Sequence, residues 1–311
     1  MIYLLANRDN EVSWLPGYAN NLVKGFSELG VGFEFIPTLQ REFERTDTII
    51  IVDYLDLGKA VELKKELGEN SPIMVSHSHG SSAFLLGFKR LGELQKEKTE
   101  LRSMDMVACN TLYHTRTMEE EFGVNAVHTG YPIDIENIGR VTAKLKREKG
   151  KIVIGGRLEQ DRQLYLAVEA LLPYGKQVVF CCPHSRAVAE GVWGAEGIRR
   201  YEDIFRFEWN YCQRNFYNEL STAEIVTTFG CVDTLNLSII EGYILGAYPL
   251  VPNKLPYLEY VSGGYKPYCI EDIRRRIKKK PRLKVNVEQY HYRLVARKYL
   301  DAIEKEKTRR K

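Results

Sequence analysis

Two carboxylates, Asp233 and Glu241, lie eight positions apart across a loop-to-helix junction in EIVTTFGCVDTLNLSIIEGYILGAYPLVP. An ionised carboxylate only accepts hydrogen bonds, so a pair at this spacing suits the vicinal hydroxyls of a sugar and of a ribose. Two guanidiniums, Arg157 and Arg162, follow the strand-like run KIVIGG in GRLEQDRQ. A strand that ends in glycines lets backbone and cations come close to a phosphate, and a guanidinium can grip two of its oxygens. Two imidazoles, His77 and His79, follow the apolar run PIMVS. Of the two, His77, immediately beyond the strand, is the preferred candidate to face a site, and a surface or capping histidine is the alternative. Hydroxyl acceptors, phosphate-sized cations and an imidazole together describe a site for a sugar nucleotide. Solvated surface acids and arginines are the competing reading of the same residues.

These side chains need elements to hold them. The apolar positions Leu237, Ile240, Ile244 and Leu245 predict a helix after Asp233, with its free N-terminal amides facing the loop as an anion site and Glu241 about two turns in. In the first half, apolar runs such as MIYLLA, TIIIVDYL, PIMVSHSHG and DMVACN alternate with helical patterns: NNLVKGFSELG, GKAVELKKELG, a helix near 82–94 and another near 115–122. The second half repeats the alternation with KIVIGG, RQLYLAVEALLPYG, QVVFCC, a helix near 185–191, WNYCQRNFYNELST, EIVTTF and YPLVP; the stretch before Glu208 carries no clear pattern. Short buried strands separated by amphipathic helices are the sequence form of a doubly wound parallel sheet. The lysine-rich stretch 141–151 interrupts the pattern and predicts a linker, and 288–311 predicts a terminal helix with Tyr292, Val295, Tyr299 and Ile303 on one face. The expected organisation is residues 1–140, residues 150–287 and the helix 288–311.

The acid, seven residues, second acid, small-residue turn (Gly246) and buried strand (Tyr248 to Val251) resemble the signature of the retaining, nucleotide-sugar-dependent glycosyltransferase family with the GT-B fold. That resemblance implies an α/β chain of two Rossmann-like doubly wound domains facing a central cleft, with the C-terminal helix crossing back to the first domain. It implies that Asp233 contacts the transferred sugar within the donor segment Asp233, Thr234, Leu235, Asn236, Leu237, and that Glu241 contacts the nucleotide ribose. Gly156, Arg157 and Arg162 match its glycine, arginine and lysine pattern, with Arg162 in the lysine position; Gly17 matches its first glycine loop, and His77 its histidine beside the reacting sugar. The sequence departs from the family in having Asp rather than Glu first and Asn236 where a glycine is usual. The family implies a nucleoside diphosphate sugar as co-substrate and no other cofactor. YPLVPNKLPYLEYV, and more loosely HSHGSSAF and GYPID, resemble the branch that glycosylates modified bases of tRNA or phage DNA.

At 311 residues with 44% hydrophobic and 28% charged residues, the chain can build two ordinary cores. No apolar run is long enough to span a bilayer, and the opening MIYLLANRDNEV turns polar too soon for a signal peptide. Six cysteines without CxxC spacing predict neither a zinc site nor a disulfide framework, which fits a reducing cytoplasm. No Asp-x-Asp triplet occurs, so metal is not expected at the diphosphate. The run RRRIKKKPRLK from Arg274 to Lys284 holds eight basic residues in eleven. Arg274, Arg275, Lys278 and Lys279, with His79, are the candidate contacts to a nucleic-acid acceptor; a solvated helix face and an anionic lipid surface are the alternatives. A saccharide or lipid-linked acceptor, a nucleotide-sugar epimerase and a non-catalytic nucleic-acid-binding protein remain open as other functions.

Overall fold

The computed structural model describes residues 1–5, 15–52, 57–78, 91–141, 145–158, 162–230 and 233–311. Its contacts divide the chain into two units, Met1–Asp134 with Glu288–Lys311, and Ile135–Val287. The division falls ahead of the polar stretch 141–151. Helix α5 (Ile135–Val141), which follows it, packs on the second unit's helices and buries Ile138.

The first unit holds a parallel sheet in the order β2-β1-β3-β4-β5-β6, from β1 (Ile2–Leu5), β2 (Phe33–Ile36), β3 (Thr48–Ile51), β4 (Ile73–His77), β5 (Met106–Cys109) and β6 (Ala126–His128). Strands β1, β3, β4 and β5 are buried along their whole length, as continuous apolar runs must be when helices cover both faces. Helix α1 (Leu15–Glu28) buries Tyr18, Ala19, Leu22 and Phe26, one stripe at helical spacing. Helices α2 (Leu57–Leu67), α3 (Leu91–Arg102) and α4 (Leu112–Thr117, continued by a π turn, Met118–Phe122) complete this unit's layers. Most of the helix predicted near 82–94 lies outside the described residues, as does His79.

The terminal helix, α12 (Tyr292–Arg309), packs on α1 and on β4. Its buried residues Tyr292, Val295, Ala296, Tyr299, Ala302 and Ile303 recur every three or four positions. Burial of each larger one contributes about 1.5–3 kcal/mol. At Gly25 a Cβ would come within 2.6 Å of Ala296 Cβ and 2.7 Å of the Tyr292 carbonyl, so glycine lets the two helices close. The buried Glu306 is paired with Arg309 and Arg310 near the end of the helix.

The second unit's sheet is also parallel, in the order β11-β10-β7-β8-β9, from β7 (Ile152–Gly155), β8 (Val178–Cys182), β9 (Arg206–Trp209), β10 (Ile225–Thr227) and β11 (Tyr248–Leu250). Its helices are α6 (Leu164–Leu171), α7 (Arg186–Trp193), α8 (Ala195–Ile204), α9 (Gln213–Thr222), α10 (Leu237–Ile244) and α11 (Ile270–Lys279). The patternless stretch before Glu208 is therefore helix α8 and the start of β9. In α8 only Ile198 is fully buried, too little apolar signal to show a period. Strand order runs outward from β7 in one direction through β8 and β9 and in the other through β10 and β11. This places the switch point of the sheet between β7 and β10, where open α/β sheets bind ligands outside the strands' carboxyl ends.

Candidate functional site

Both charged motifs of the second unit emerge at that switch point. β7 ends in Gly155, where a Cβ would meet Ser238 Oγ at 2.5 Å and the Phe216 ring at 2.8 Å; Gly156 then takes φ +128°, a conformation other residues avoid. This turn puts Arg157 and Arg162 at a small recess lined also by Ile154, Leu158, Phe180 and Thr228. Arg157 is half-buried and lies near His184; burial first, then its positive charge, lower the pKa of that histidine.

Arg162 Nη1 donates to Asp233 Oδ1 at 2.6 Å. The other carboxylate oxygen, Oδ2, accepts from Tyr257 Oη at 2.6 Å and from Asn236 Nδ2 at 2.8 Å. Burial alone would raise this carboxyl's pKa, but the Arg162 charge and the hydrogen bonds from Tyr257, Asn236 and Arg162 outweigh it and hold Asp233 below the usual carboxylate range. Gly230 makes room for the ion pair, since a Cβ there would lie 2.5 Å from Asp233 Oδ2 and 2.8 Å from Arg162 Nη1. Asp233 is 7% exposed with both oxygens engaged. In this arrangement it is a partner of Arg162 rather than an open acceptor for a sugar hydroxyl.

Asn236 explains its own departure from the usual glycine. Its φ is −103°, so no left-handed turn is required, and its Oδ1 caps α10 by accepting from the Ile239 amide at 3.2 Å. With the helix starting at Leu237, Glu241 lies about one turn in, nearer the N-terminus than the sequence spacing predicted. The buried positions of α10 are Ile239, Ile240 and Gly242, while Leu237, Ile244 and Leu245 are half-buried. Thr234 is buried and Leu235 half-buried in the loop before it. Glu241 Oε1 accepts from Tyr217 Oη at 3.0 Å, and Gln213 Nε2 in turn donates to Tyr217 Oη at 3.1 Å. Burial raises the Glu241 pKa to about 7, against the opposing hydrogen bond from Tyr217. Tyr217 and Tyr257 are not among the residues the sequence singles out. Tyr217 lies in the mostly polar helix QRNFYNELST and Tyr257 in the run YPLVPNKLPYLEYV, and neither spacing marks the hydroxyl as a site group.

In the first unit His77 is 2% exposed and deep in a hydrogen-bonded cluster. Its Nδ1 lies 2.6 Å from Tyr18 Oη and 2.9 Å from Tyr299 Oη, the hydroxyls are 2.5 Å apart, and Nε2 lies 3.0 Å from Asn110 Oδ1. With Nε2 donating to Asn110 and Nδ1 accepting from tyrosine, both nitrogens tie β4 to α1, α12 and the end of β5. The expected cleft-facing role does not match this position. Gly17 is exposed near the start of α1, and a Cβ placed on it would have nothing within 4 Å, so no packing there demands glycine.

Half of the basic run is engaged inside the second unit, while Lys278, Lys279, Arg282 and Lys284 are exposed. Arg274 donates to the carbonyls of Ala170 and Glu169 at the end of α6, Arg275 and Arg276 pair with Asp272, and Lys280 pairs with Glu224. Acids in the first turn of α11 and cations in its last also match the helix dipole. A roomier recess, about 280 Å³, lies at the opposite end of this sheet among Glu148, Lys149, Lys151, Tyr174, Lys176, Gln177 and Arg206. There Lys151 is bonded to Glu148, Glu219 and Thr222, so its charge is balanced within the fold. Among the described residues no group of three or more His, Cys, Asp or Glu side chains is placed to hold a metal ion, and no helix is long and apolar enough to cross a membrane.

No protein-family model matches the chain, and no curated protein does. Solved structures do. The N-terminal domain of Candida albicans trehalose-6-phosphate phosphatase superposes with a TM-score of 0.65 at 12% identity, covering 96% of this chain and 78% of that one. An α,α-trehalose-phosphate synthase (UDP-forming) from Burkholderia xenovorans, in complex with glucose-6-phosphate, gives 0.63 at 13%, covering 92% and 76%. The pneumococcal O-GlcNAc transferase GtfA, in complex with UDP and GlcNAc, gives 0.58 at 11%, covering 93% of this chain and 60% of the other. Likeness at these identities establishes the fold, which is GT-B, built from two parallel α/β units.

Proposed function

We propose that this chain is a nucleotide-sugar-dependent glycosyltransferase, retaining and independent of metal. The observation that carries the reading is the convergence of Arg157 and Arg162 with the acid motif at the switch point of the second sheet, beyond a strand whose last residues must be glycine. Solved structures of the same fold with UDP, or named as UDP-forming, support it.

In this reading Arg157 and Arg162 face the diphosphate of the donor. As the bond from the anomeric carbon to the phosphate oxygen breaks, negative charge grows on the leaving group, and fixed cations in a partly dry site stabilise it without reorganising. The acceptor hydroxyl oxygen bonds to the anomeric carbon on the same face and its proton passes to the departing diphosphate. Glu241 accepts hydrogen bonds from the nucleotide ribose, with Tyr217 orienting its carboxyl group. No covalent sugar intermediate is required.

For the acceptor, YPLVPNKLPYLEYV resembles the branch that glycosylates tRNA or phage-DNA bases, which makes a nucleic-acid base one candidate class. With Arg274, Arg275, Arg276 and Lys280 engaged within the chain, the exposed Lys278 and Lys279 on the helix, with Arg282 and Lys284 beyond it, are the part of the run placed to meet a phosphate backbone. A saccharide or sugar-phosphate acceptor is the competing class, and the synthase solved with glucose-6-phosphate supports it. The test is a panel of nucleotide sugars incubated with the protein in excess EDTA, with DNA, tRNA or sugar phosphates added in turn, reading nucleoside diphosphate release and the anomeric configuration of the product. Release with retention in EDTA is expected. Inversion, strict dependence on added divalent metal, or no release with any donor would overturn the corresponding part of the proposal.

A further inference from the structure

Asp233 is enclosed from three directions. Arg162 reaches it from the loop after β7, Asn236 from the cap of α10, and Tyr257 from the loop after β11. Tyr257 is completely buried, and its hydroxyl lies 2.6 Å from Asp233 Oδ2 and 3.1 Å from the Gly230 carbonyl. The shorter contact has the geometry of a charge-assisted O–H···O⁻ bond, the stronger class. The Gly230 carbonyl belongs to the backbone that Arg162 and Asp233 pack against, so this hydroxyl touches both the ion pair and its floor.

From this geometry we infer that Tyr257 is a positioning residue: its hydroxyl clamps Asp233, and Asp233 in turn fixes the guanidinium of Arg162 toward the donor diphosphate instead of binding the transferred sugar. The inference rests on the diphosphate assignment above. It also accounts for the short first acid, because an aspartate can accept Arg162, Asn236 and Tyr257 at once within a cage closed by Gly230. Among the described residues, the titratable groups hydrogen-bonded to Asp233 are Arg162 and Tyr257, and the amide of Asn236 is a further contact.

Tyr257→Phe removes the hydroxyl and keeps the ring. Tyr265→Phe is the control, since Tyr265 is equally buried in this unit but donates to the Thr228 carbonyl at 2.8 Å. UDP is the probe, titrated by calorimetry from pH 7 downwards. A donor to the ionised form of Asp233 lowers its pKa, so losing that donor raises it. Tyr257→Phe is therefore expected to weaken UDP several-fold and to move the acid loss of binding up by about one pH unit, while Tyr265→Phe leaves that limb in place. Asp233→Asn should abolish the lowest-pH step of the limb, below the steps that belong to Glu241 and to the terminal phosphate of UDP, and adding Tyr257→Phe to it should change nothing further. Coincident acid limbs in Tyr257→Phe and the parent, or equal shifts in Tyr257→Phe and Tyr265→Phe, would overturn the inference. If the parent bound no UDP, the transferase reading would fail, and the clamp would be judged by acid unfolding. It stands if Tyr257→Phe loses stability at higher pH than Tyr265→Phe, and falls if the two coincide.

Discussion

The two sheets of this protein share a doubly wound topology, yet their strand ends are finished in different ways. In the first unit the end of β4 is closed by neutral hydrogen bonds: His77, Tyr18, Tyr299 and Asn110 satisfy one another, and the cluster joins the terminal helix to the sheet. In the second unit the ends of β7 and β10 carry charges. Arg157 stays half-buried, Arg162 and Asp233 form a pair whose arginine side chain is 17% exposed, and Glu241 has burial opposing its ionisation. A network whose polar atoms are already matched holds a fold together. One that keeps charge near a recess can still gain from an incoming ligand of opposite charge.

Breaking each network should separate these roles. Arg162→Ala removes a cation that the proposed function turns toward the diphosphate, and it leaves Asp233 buried without its counter-charge. It should cost about 3–5 kcal/mol of stability and lower turnover on the order of tenfold or more. Chemical denaturation and release of UDP from a UDP-sugar measure the two effects. His77→Ala opens the neutral cluster, with a stability loss of about 1–3 kcal/mol for the unmatched tyrosine hydroxyls and no matching loss of UDP affinity. A UDP affinity that fell with His77→Ala as far as with Arg162→Ala would erase the distinction between the units.

The acids of the second unit sharpen it further, because they should slope in opposite directions with pH. Asp233 has a depressed pKa, so its contribution is present above the ordinary carboxylate value and is lost as pH falls through the lower folded value. Glu241, raised from 4.5 to about 7, binds its proton more tightly in the folded state, so stability falls as pH rises from about 4.5 to 7 and the penalty is complete above that window. Glu241→Gln should flatten the fall between pH 4.5 and 7 and, if Glu241 holds the ribose as proposed, weaken UDP at pH 8, where it replaces an ionised acceptor. The loss expected from such a hydrogen bond is about 1.5–3 kcal/mol. An unchanged pH profile in Glu241→Gln would place the titrating group elsewhere.

Legibility in the sequence follows the length scale of the interactions. Continuous apolar runs such as Ile49 to Ile51 and Val178 to Cys182 show buried parallel strands directly, and the glycines before Arg157 mark a tight turn. Helix α8 is obscure because only Ile198 is fully buried in it. Arg162, Asp233 and Glu241 stand out through spacing, but spacing does not report that Arg162 and Asp233 meet at 2.6 Å. Tyr257 and Tyr217 are invisible as site residues for a related reason. Their rings fill core positions, and their hydroxyls acquire partners 24 residues away only when the loops and helices are packed. For His77 the sequence suggests a cleft-facing place because a strand end exposes its last residue until another element covers it; here α1 and α12 do so.

The smallest effect expected lies in the basic run, where the same contrast between matched and open charge recurs on one helix. Arg274 holds the carbonyls of Glu169 and Ala170, so Arg274→Ala should loosen the packing of α11 on α6 and lower stability by about 0.5–1.5 kcal/mol. Lys278→Ala with Lys279→Ala removes exposed charge and should leave stability within about 0.5 kcal/mol of the parent, with UDP affinity unchanged. A nucleic-acid acceptor adds a separate signature, because each lysine that meets a phosphate contributes about 0.7–0.9 to the log–log salt slope of binding. The double variant should then lose up to about twice that slope, while Arg274→Ala, whose guanidinium is turned inward, should keep it. Equal slopes in the lysine variant and the parent would remove this helix from the acceptor surface and shift the acceptor to the saccharide class.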